Sequence, residues 1–257
     1  MNLALRSHFL GELPWSEVAE ILASPLKCLM VPIGSTEAHG PHLPLNVDAV
    51  VATECARRAA ATLTGQGTPT VIAPTIPYVV TDVAGPFAGT VGLTAETATR
   101  LFAEVIGHLA GQGFDRIVVA NGHFEPAHVE TLEAALARVR SATGAAIAFP
   151  DWRLTPYKER LSEISPEFGR GARHAGAYET SMILAAAPRL VREKILPTLT
   201  PVWIDLPAAI NAGARTFKEA GASQAYFGDP STSSVALGEK LLETLTGTLV
   251  DAAKSLF

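Results

Sequence analysis

The chain has 257 residues, 48% hydrophobic and 18% charged, with 20 basic against 25 acidic side chains for a formal charge of −5. Such a composition excludes a disordered chain, and the lack of any lysine or arginine block argues against nucleic acid as a partner. No apolar run reaches the roughly 18–20 residues of a membrane span, and the opening MNLALRSHFLGELPW carries no long apolar core, so it does not read as a secretory signal.

Apolar runs of strand length alternate with stretches of helical period. CLMVPIG, from Cys28 to Gly34, predicts a first strand, and Val47 to Leu63 a helix starting near Asp48. Thr70 to Val80 reads as a strand leaving into a loop. Thr94 caps a helix running to about Gln112, which Gly113 ends. Arg116 to Gly122 is a short buried strand, and Pro126 suits the first turn of a helix to about Arg140. Ala145 to Pro150 is another strand. The polar, irregular stretch from Arg153 to Arg173 is expected to be an active-site loop or an oligomer contact. Tyr178 to Ala187 and Val235 to Leu256 close the series as helices. Alternation of this kind predicts an α/β fold, a mostly parallel sheet covered on both faces. No linker or repeat divides the chain, so residues 1–257 read as one domain. Cys28 and Cys55 read as buried free thiols, which suits a reducing cytoplasm.

Ligands of open α/β sheets bind beyond the carboxyl ends of the strands. Two predicted strand ends carry a carboxylate and an imidazole two residues apart: Glu37 and His39 after the first, His123 and Glu125 after the third. In extended backbone such neighbours point to one side. Asp48, near a helix start, can stand between the two pairs, and the five side chains suit two adjacent divalent ions. Mixed nitrogen and oxygen donors favour zinc or manganese over calcium or magnesium. Gly34, Gly40 and Gly122 are expected to let the backbone turn tightly beside these ligands. His8, His108 and His128 have no partner pattern and read as surface or satisfied core histidines. Arg57 and Arg58 read as a solvated helix face.

The segments VPIGSTEAHGPHLPLNVD (Val31 to Asp48), FAGTVGLT (Phe87 to Thr94), NGHFEPA (Asn121 to Ala127), HAGAYETSMILAAAP (His174 to Pro188) and FGDPS (Phe227 to Ser231) resemble, in order, signature elements of the creatininase family. The resemblance implies a three-layer α/β/α sandwich and a metal-dependent amidohydrolase that opens a cyclic or linear amide with a metal-bridging hydroxide. It implies that Glu37 and His123 bind one ion, His39 and Glu125 the other, and that Asp48 bridges them. His174 matches the family's catalytic histidine, and Glu125 counts as a catalytic carboxylate as well as a ligand. Glu179 and His42 stand as reserve or supporting groups. Phe124 and Trp152 are expected at the substrate, and homo-oligomers, hexamers among them, are common in the family.

The creatinine-cleaving members carry a tryptophan and an aspartate shortly before the catalytic histidine, where this chain reads Arg170-Gly171-Ala172-Arg173. Arg170 and Arg173 suit a substrate bearing a carboxylate or phosphate. The small-molecule substrate is therefore placed in the broad amide class. Deformylase, small-peptide peptidase and keto-inositol hydrolase are the alternatives, and a non-catalytic metal-binding protein ranks below them.

Overall fold

A computed structural model describes residues 5–257; the first four residues of the opening stretch lie outside them. The elements in chain order are α1 (Trp15–Leu22), β1 (Cys28–Ile33), α2 (Val47–Gly65), β2 (Thr70–Ile72), α3 (Ala95–Gly111), β3 (Arg116–Asn121), α4 (Pro126–Thr143), β4 (Ala146–Ala148), α5 (Tyr157–Ile164), α6 (Pro166–Gly169), α7 (Ala177–Ala186), α8 (Leu206–Asn211) and α9 (Val235–Lys254). The strands form one parallel sheet in the order β2-β1-β3-β4.

Strand side chains alternate between two cores, as the pleat requires. Cys28 and Met30 of β1 and Val118 and Ala120 of β3 pack against α2, α7 and α9. Leu29, Val31, Ile33, Ile117 and Val119 face the other way, onto α1, α3 and α4. Burial on both faces explains why β1 reads as an unbroken apolar run. The result is the expected three-layer α/β/α sandwich. No helix of the described residues is long and apolar enough to cross a membrane.

Two expectations change. The strand expected over Thr70 to Val80 ends at Ile72, because Pro74 and Pro77 have no N–H to donate to a ladder; beyond them only isolated bridges, Ile33 with Ile76 and Val79 with Gly92, continue the pairing. The stretch from Arg153 to Arg173 holds α5 and α6. Tyr157, Leu161, Ile164 and Phe168 follow a helical spacing, and Leu161 and Phe168 join the core beneath the sheet. Arg58 also does more than face water: it bonds Glu54 on its own helix and Glu239 of α9, at 2.7 and 2.6 Å.

The contact of α7 with α9 is close enough to be limited by one residue. A Cβ on Gly238 would lie 1.9 Å from the Ser181 carbonyl oxygen, whereas one on Gly247, in the same helix, would meet nothing within 4 Å. Helix propensity alone favours alanine at both positions by about 1 kcal/mol. Gly247→Ala should therefore stabilise by roughly that amount, while at Gly238 overpacking of about 1–3 kcal/mol should win and lower the denaturant midpoint. Stabilisation by both substitutions would mean that the helices are not in backbone contact.

Candidate metal centre

β1 and β3 are neighbours in register, with Ile33 opposite Asn121, so the loops after them leave side by side. The start of α2 lies against both. A Cβ on Gly34 would stand 2.3 Å from the Ala49 nitrogen, and one on Gly122 2.3 Å from the Asp48 carbonyl oxygen. Neither glycine has a positive φ; each is required for close approach, not for a turn. Gly40, with φ 69°, does turn left-handed.

This wedging places Asp48, buried in the first turn of α2, between two groups of ligand atoms. One is Glu37, Asp48 and His123; the other is His39, Asp48 and Glu179; within each, the ligand atoms lie within 4.8 Å of one another. Asp48 gives one oxygen to each group: Oδ2 is 2.9 Å from His123 Nδ1, and Oδ1 is 3.1 Å from His39 Nε2. The Ser35 hydroxyl donates to Oδ2 at 2.8 Å, and the Thr81 hydroxyl donates to Glu37.

The donor set fits divalent ions. His39 donates Nδ1–H to the Glu37 carbonyl at 3.1 Å, which fixes its tautomer and leaves Nε2 facing Asp48 and, at 3.6 Å, Glu179. A bare nitrogen lone pair facing carboxylate oxygens is repulsive unless a positive charge lies between them. Without metal a proton supplies that charge. Burial opposes it, but Asp48, Glu179 and Glu37 raise His39 to about 10. Burial likewise opposes charge on His123, and Glu37 and Asp48 raise it to about 9. His123 Nε2 is buried without a hydrogen-bond partner among the described residues.

Glu125 and Glu179 stand differently toward the two groups. Glu125 is the residue before α4, and its carboxylate accepts from the backbone N–H groups of Asp82 and Val83 at 3.1 and 3.2 Å. It comes no nearer to His123 Nε2 than 3.9 Å. Glu179 instead accepts from Ala175 N–H at 2.6 Å and turns into the second group, where burial and the Asp48 charge push its pKa upward.

His174 donates Nε2–H to the Ala38 carbonyl at 2.8 Å and points Nδ1 at Glu37, 3.7 Å away. Its ring lies between His39 and Phe217, each 4.2 Å away, and burial together with His39 holds its pKa well below the usual value. Above the floor opens a cavity of about 380 Å³ that His174, Phe124, Glu125 and Arg173 help line. Trp152 lies deeper, 5.4 Å from the Phe124 ring, and donates to Thr248 on α9. His42 is bonded to Thr180 and His128 to Asn121, both buried outside the ligand groups. Arg170 is exposed and stacks on Trp203. Phe217 and Thr81 were not singled out by sequence; neither lies within the motif segments, whereas Arg153 opens the stretch expected to form an active-site loop.

A family model described as Creatininase, creatinine amidohydrolase, matches residues 11–253. The chain belongs to the creatininase family. It is 29% identical over 268 residues to the creatinine amidohydrolase of Pseudomonas putida, covering 98% of each chain. Over 246 residues it is 31% identical to the mycofactocin precursor peptide peptidase of Mycobacterium ulcerans, covering 90% of this chain and 86% of that relative. A solved creatininase described as the manganese form matches with a TM-score of 0.76 and 28% identity, over 98% of this chain and 99% of its own. A mutant creatininase of Zn-Zn type matches with the same TM-score and coverage at 26% identity. Like these creatininase-family relatives, the chain is a hydrolase acting on carbon–nitrogen bonds.

Substitution separates the two glutamates. Glu179→Gln should lose close to one metal equivalent per chain, measured by plasma mass spectrometry after dialysis, because a neutral amide is a poorer ligand than a carboxylate. Glu125→Gln should keep its metal. The reverse outcome would return the ligand role to Glu125.

Proposed function

We propose that this creatininase-family hydrolase cleaves a cyclic or linear amide at two divalent ions, one held by Glu37, Asp48 and His123 and the other by His39, Asp48 and Glu179. The observation that carries the reading is Asp48, whose two carboxylate oxygens face the two groups separately. Zinc and manganese both suit nitrogen and carboxylate donors at such a site. When bound, the ions supply an acidified water as nucleophile and polarise the carbonyl under attack.

The side chains around the floor do the rest. Ser35 and Thr81 hold Asp48 and Glu37 by hydroxyl donation, so these carboxylates keep their orientation with or without substrate. The tautomer of His174 follows from its partner: a carbonyl only accepts, so Nε2 carries the proton and Nδ1 is bare. Stacked between His39 and Phe217 and kept neutral, His174 can take a proton at Nδ1 and return it to the departing nitrogen. Glu125, fastened to the Asp82 and Val83 N–H groups on the cavity wall, stands as a second carboxylate facing the substrate. Phe124 gives the cavity an apolar side. The cavity is wide enough for the end of a short peptide as well as a small lactam, so the peptidase reading stands second. The buried free thiols Cys28 and Cys55 support a reducing, cytoplasmic setting.

Metal should be stripped with chelator and restored as zinc or manganese, with turnover followed on lactams, formamides, short peptides and cyclic ketones. Activity should vanish on stripping and return with metal, on amides and not on ketones. Full turnover by metal-free protein would refute the proposal. His174→Asn should lower kcat by about 10²–10⁴-fold at unchanged metal content; loss of metal from that variant would make His174 a ligand instead.

A further inference from the structure

The floor just described leaves open what holds the rest of the substrate. Two arginines line the cavity, and they differ in what they are bound to. Arg153 is neutralised by Asp151, which accepts from both its Nε and its Nη2, the latter at 2.6 Å. Arg173 has no ion pair among the described residues. It donates Nε–H to the Phe168 carbonyl at 2.9 Å, and its guanidinium lies 4.4 Å from the centre of the Phe168 ring. These two contacts fix the plane of the group and use one donor edge. The end-on pair, Nη1 and Nη2, has no hydrogen-bond partner among the described residues.

The acid whose charge Arg173 feels, Asp205, is engaged elsewhere. Its Oδ1 accepts the Ala208 N–H at 3.0 Å as the cap of α8, and it is packed against Gly171. Arg173 is half-buried, and burial lowers its pKa, with Asp205 only partly opposing this. A half-buried, unpaired and oriented guanidinium is costly to keep unless something occupies it. It also borders a smaller recess of about 70 Å³ that shares Asp48, Glu179 and Phe124 with the main cavity and is walled by Trp152 and Tyr178. Arg173 therefore stands where the two spaces meet, within one continuous site with the candidate ligands.

We propose that Arg173 is the specificity-determining residue of this site and grips a free carboxylate on the amide substrate through its Nη1 and Nη2 edge. The inference rests on the two-metal reading above, since three carboxylates at the floor would repel an anion unless divalent ions outweigh them. A monoanion suits the single open donor edge; a phosphate dianion would bring a second negative charge that no unpaired cation of the lining meets. Arg170, which the sequence places in the same role, is not part of it: it faces out against Trp203.

The test compares metal-loaded wild-type, Arg173→Gln and Arg173→Lys proteins on N-acetylglycine, N-acetylglycinamide and N-acetylaminomethylphosphonate. Calorimetry follows the binding of pyroglutamate and its amide to the same proteins. For the wild type, kcat/KM and affinity should favour the carboxylate over its neutral amide by about 10–100-fold, the range expected of a charge-assisted hydrogen-bonded pair. Arg173→Gln should bring that ratio close to one. Arg173→Lys should keep part of it, because the charge remains and the fork is lost. Metal content of all three guards against a folding defect.

A carboxylate preference that survives in Arg173→Gln would overturn the proposal, as would a wild type that binds neither carboxylate. A phosphonate preferred over the carboxylate would replace the assigned group by a phosphate. Turnover of neutral amides without charge preference would sink the Arg173 assignment and leave the hydrolase reading intact. Failure of metal to restore any turnover would sink that reading itself.

Discussion

The structure depends on an approach of backbone to backbone. The first turn of α2 is pressed into the notch between the ends of β1 and β3, so closely that neither Gly34 nor Gly122 has room for a Cβ. A looser helix start would move the Asp48 carboxylate away from one imidazole or the other, and the two ligand groups would no longer share an oxygen-bearing residue. Asp48 also gains from standing in the first turn, where the helix dipole favours a negative charge. Parallel pairing of β1 with β3 supplies the other half of the constraint, since it sends both loops that carry candidate ligands out at the same edge.

Concentrating Glu37, Asp48 and Glu179 in a buried place is expensive. Removing ions from water costs several kcal/mol each unless opposite charge is supplied nearby. The polypeptide supplies no lysine or arginine in ion-pair contact with these three among the described residues; only histidines face them. The raised pKa values of His39 and His123 are the same imbalance seen from the imidazole side. Divalent ions at this site would relieve it more completely than protons do, and their binding would release the protons that the imidazoles hold without them.

Most of this floor was legible in the sequence because its parts follow buried strands, and buried strands announce themselves. Glu37 and His39 lie in extended backbone and converge as the spacing of two requires. His123 and Glu125 also come together, 3.9 Å apart, but Glu125 stands at the N-cap of α4 and its carboxylate is held as well by the Asp82 and Val83 amides, which no sequence spacing foretells. Glu179 was harder to place, since it comes from a helix whose start is set by tertiary contacts. The segment from Arg153 to Arg173 misled for another reason. Its helices are short, each is preceded or opened by proline, and their single buried faces are diluted by charge, so the period of Tyr157, Leu161, Ile164 and Phe168 is masked by the polar residues between.

The FGDPS element contributes no ligand and no cavity wall, and its role has to be found in packing. Glu167 of α6 is buried and accepts the backbone N–H of Tyr178 at 2.9 Å and of Asp229 at 2.5 Å, while a Cβ on Gly228 would fall 1.7 Å from its Oε1 and one on Gly176 2.6 Å from its Oε2. One carboxylate thus ties α6 to the start of α7 and to the loop at Gly228, and Phe227 N–H completes the tie by donating to the His174 carbonyl at 2.8 Å. Between those anchor points lie Arg173 and His174. Gly228 of this element and Gly176 of the segment opened by His174 lack side chains, and the Glu167 carboxylate takes the space beside them. The sheet therefore sets the side chains that follow its strands, while a polar staple at the start of α7 sets the wall that carries Arg173 and His174 and the approach of Glu179 to the floor.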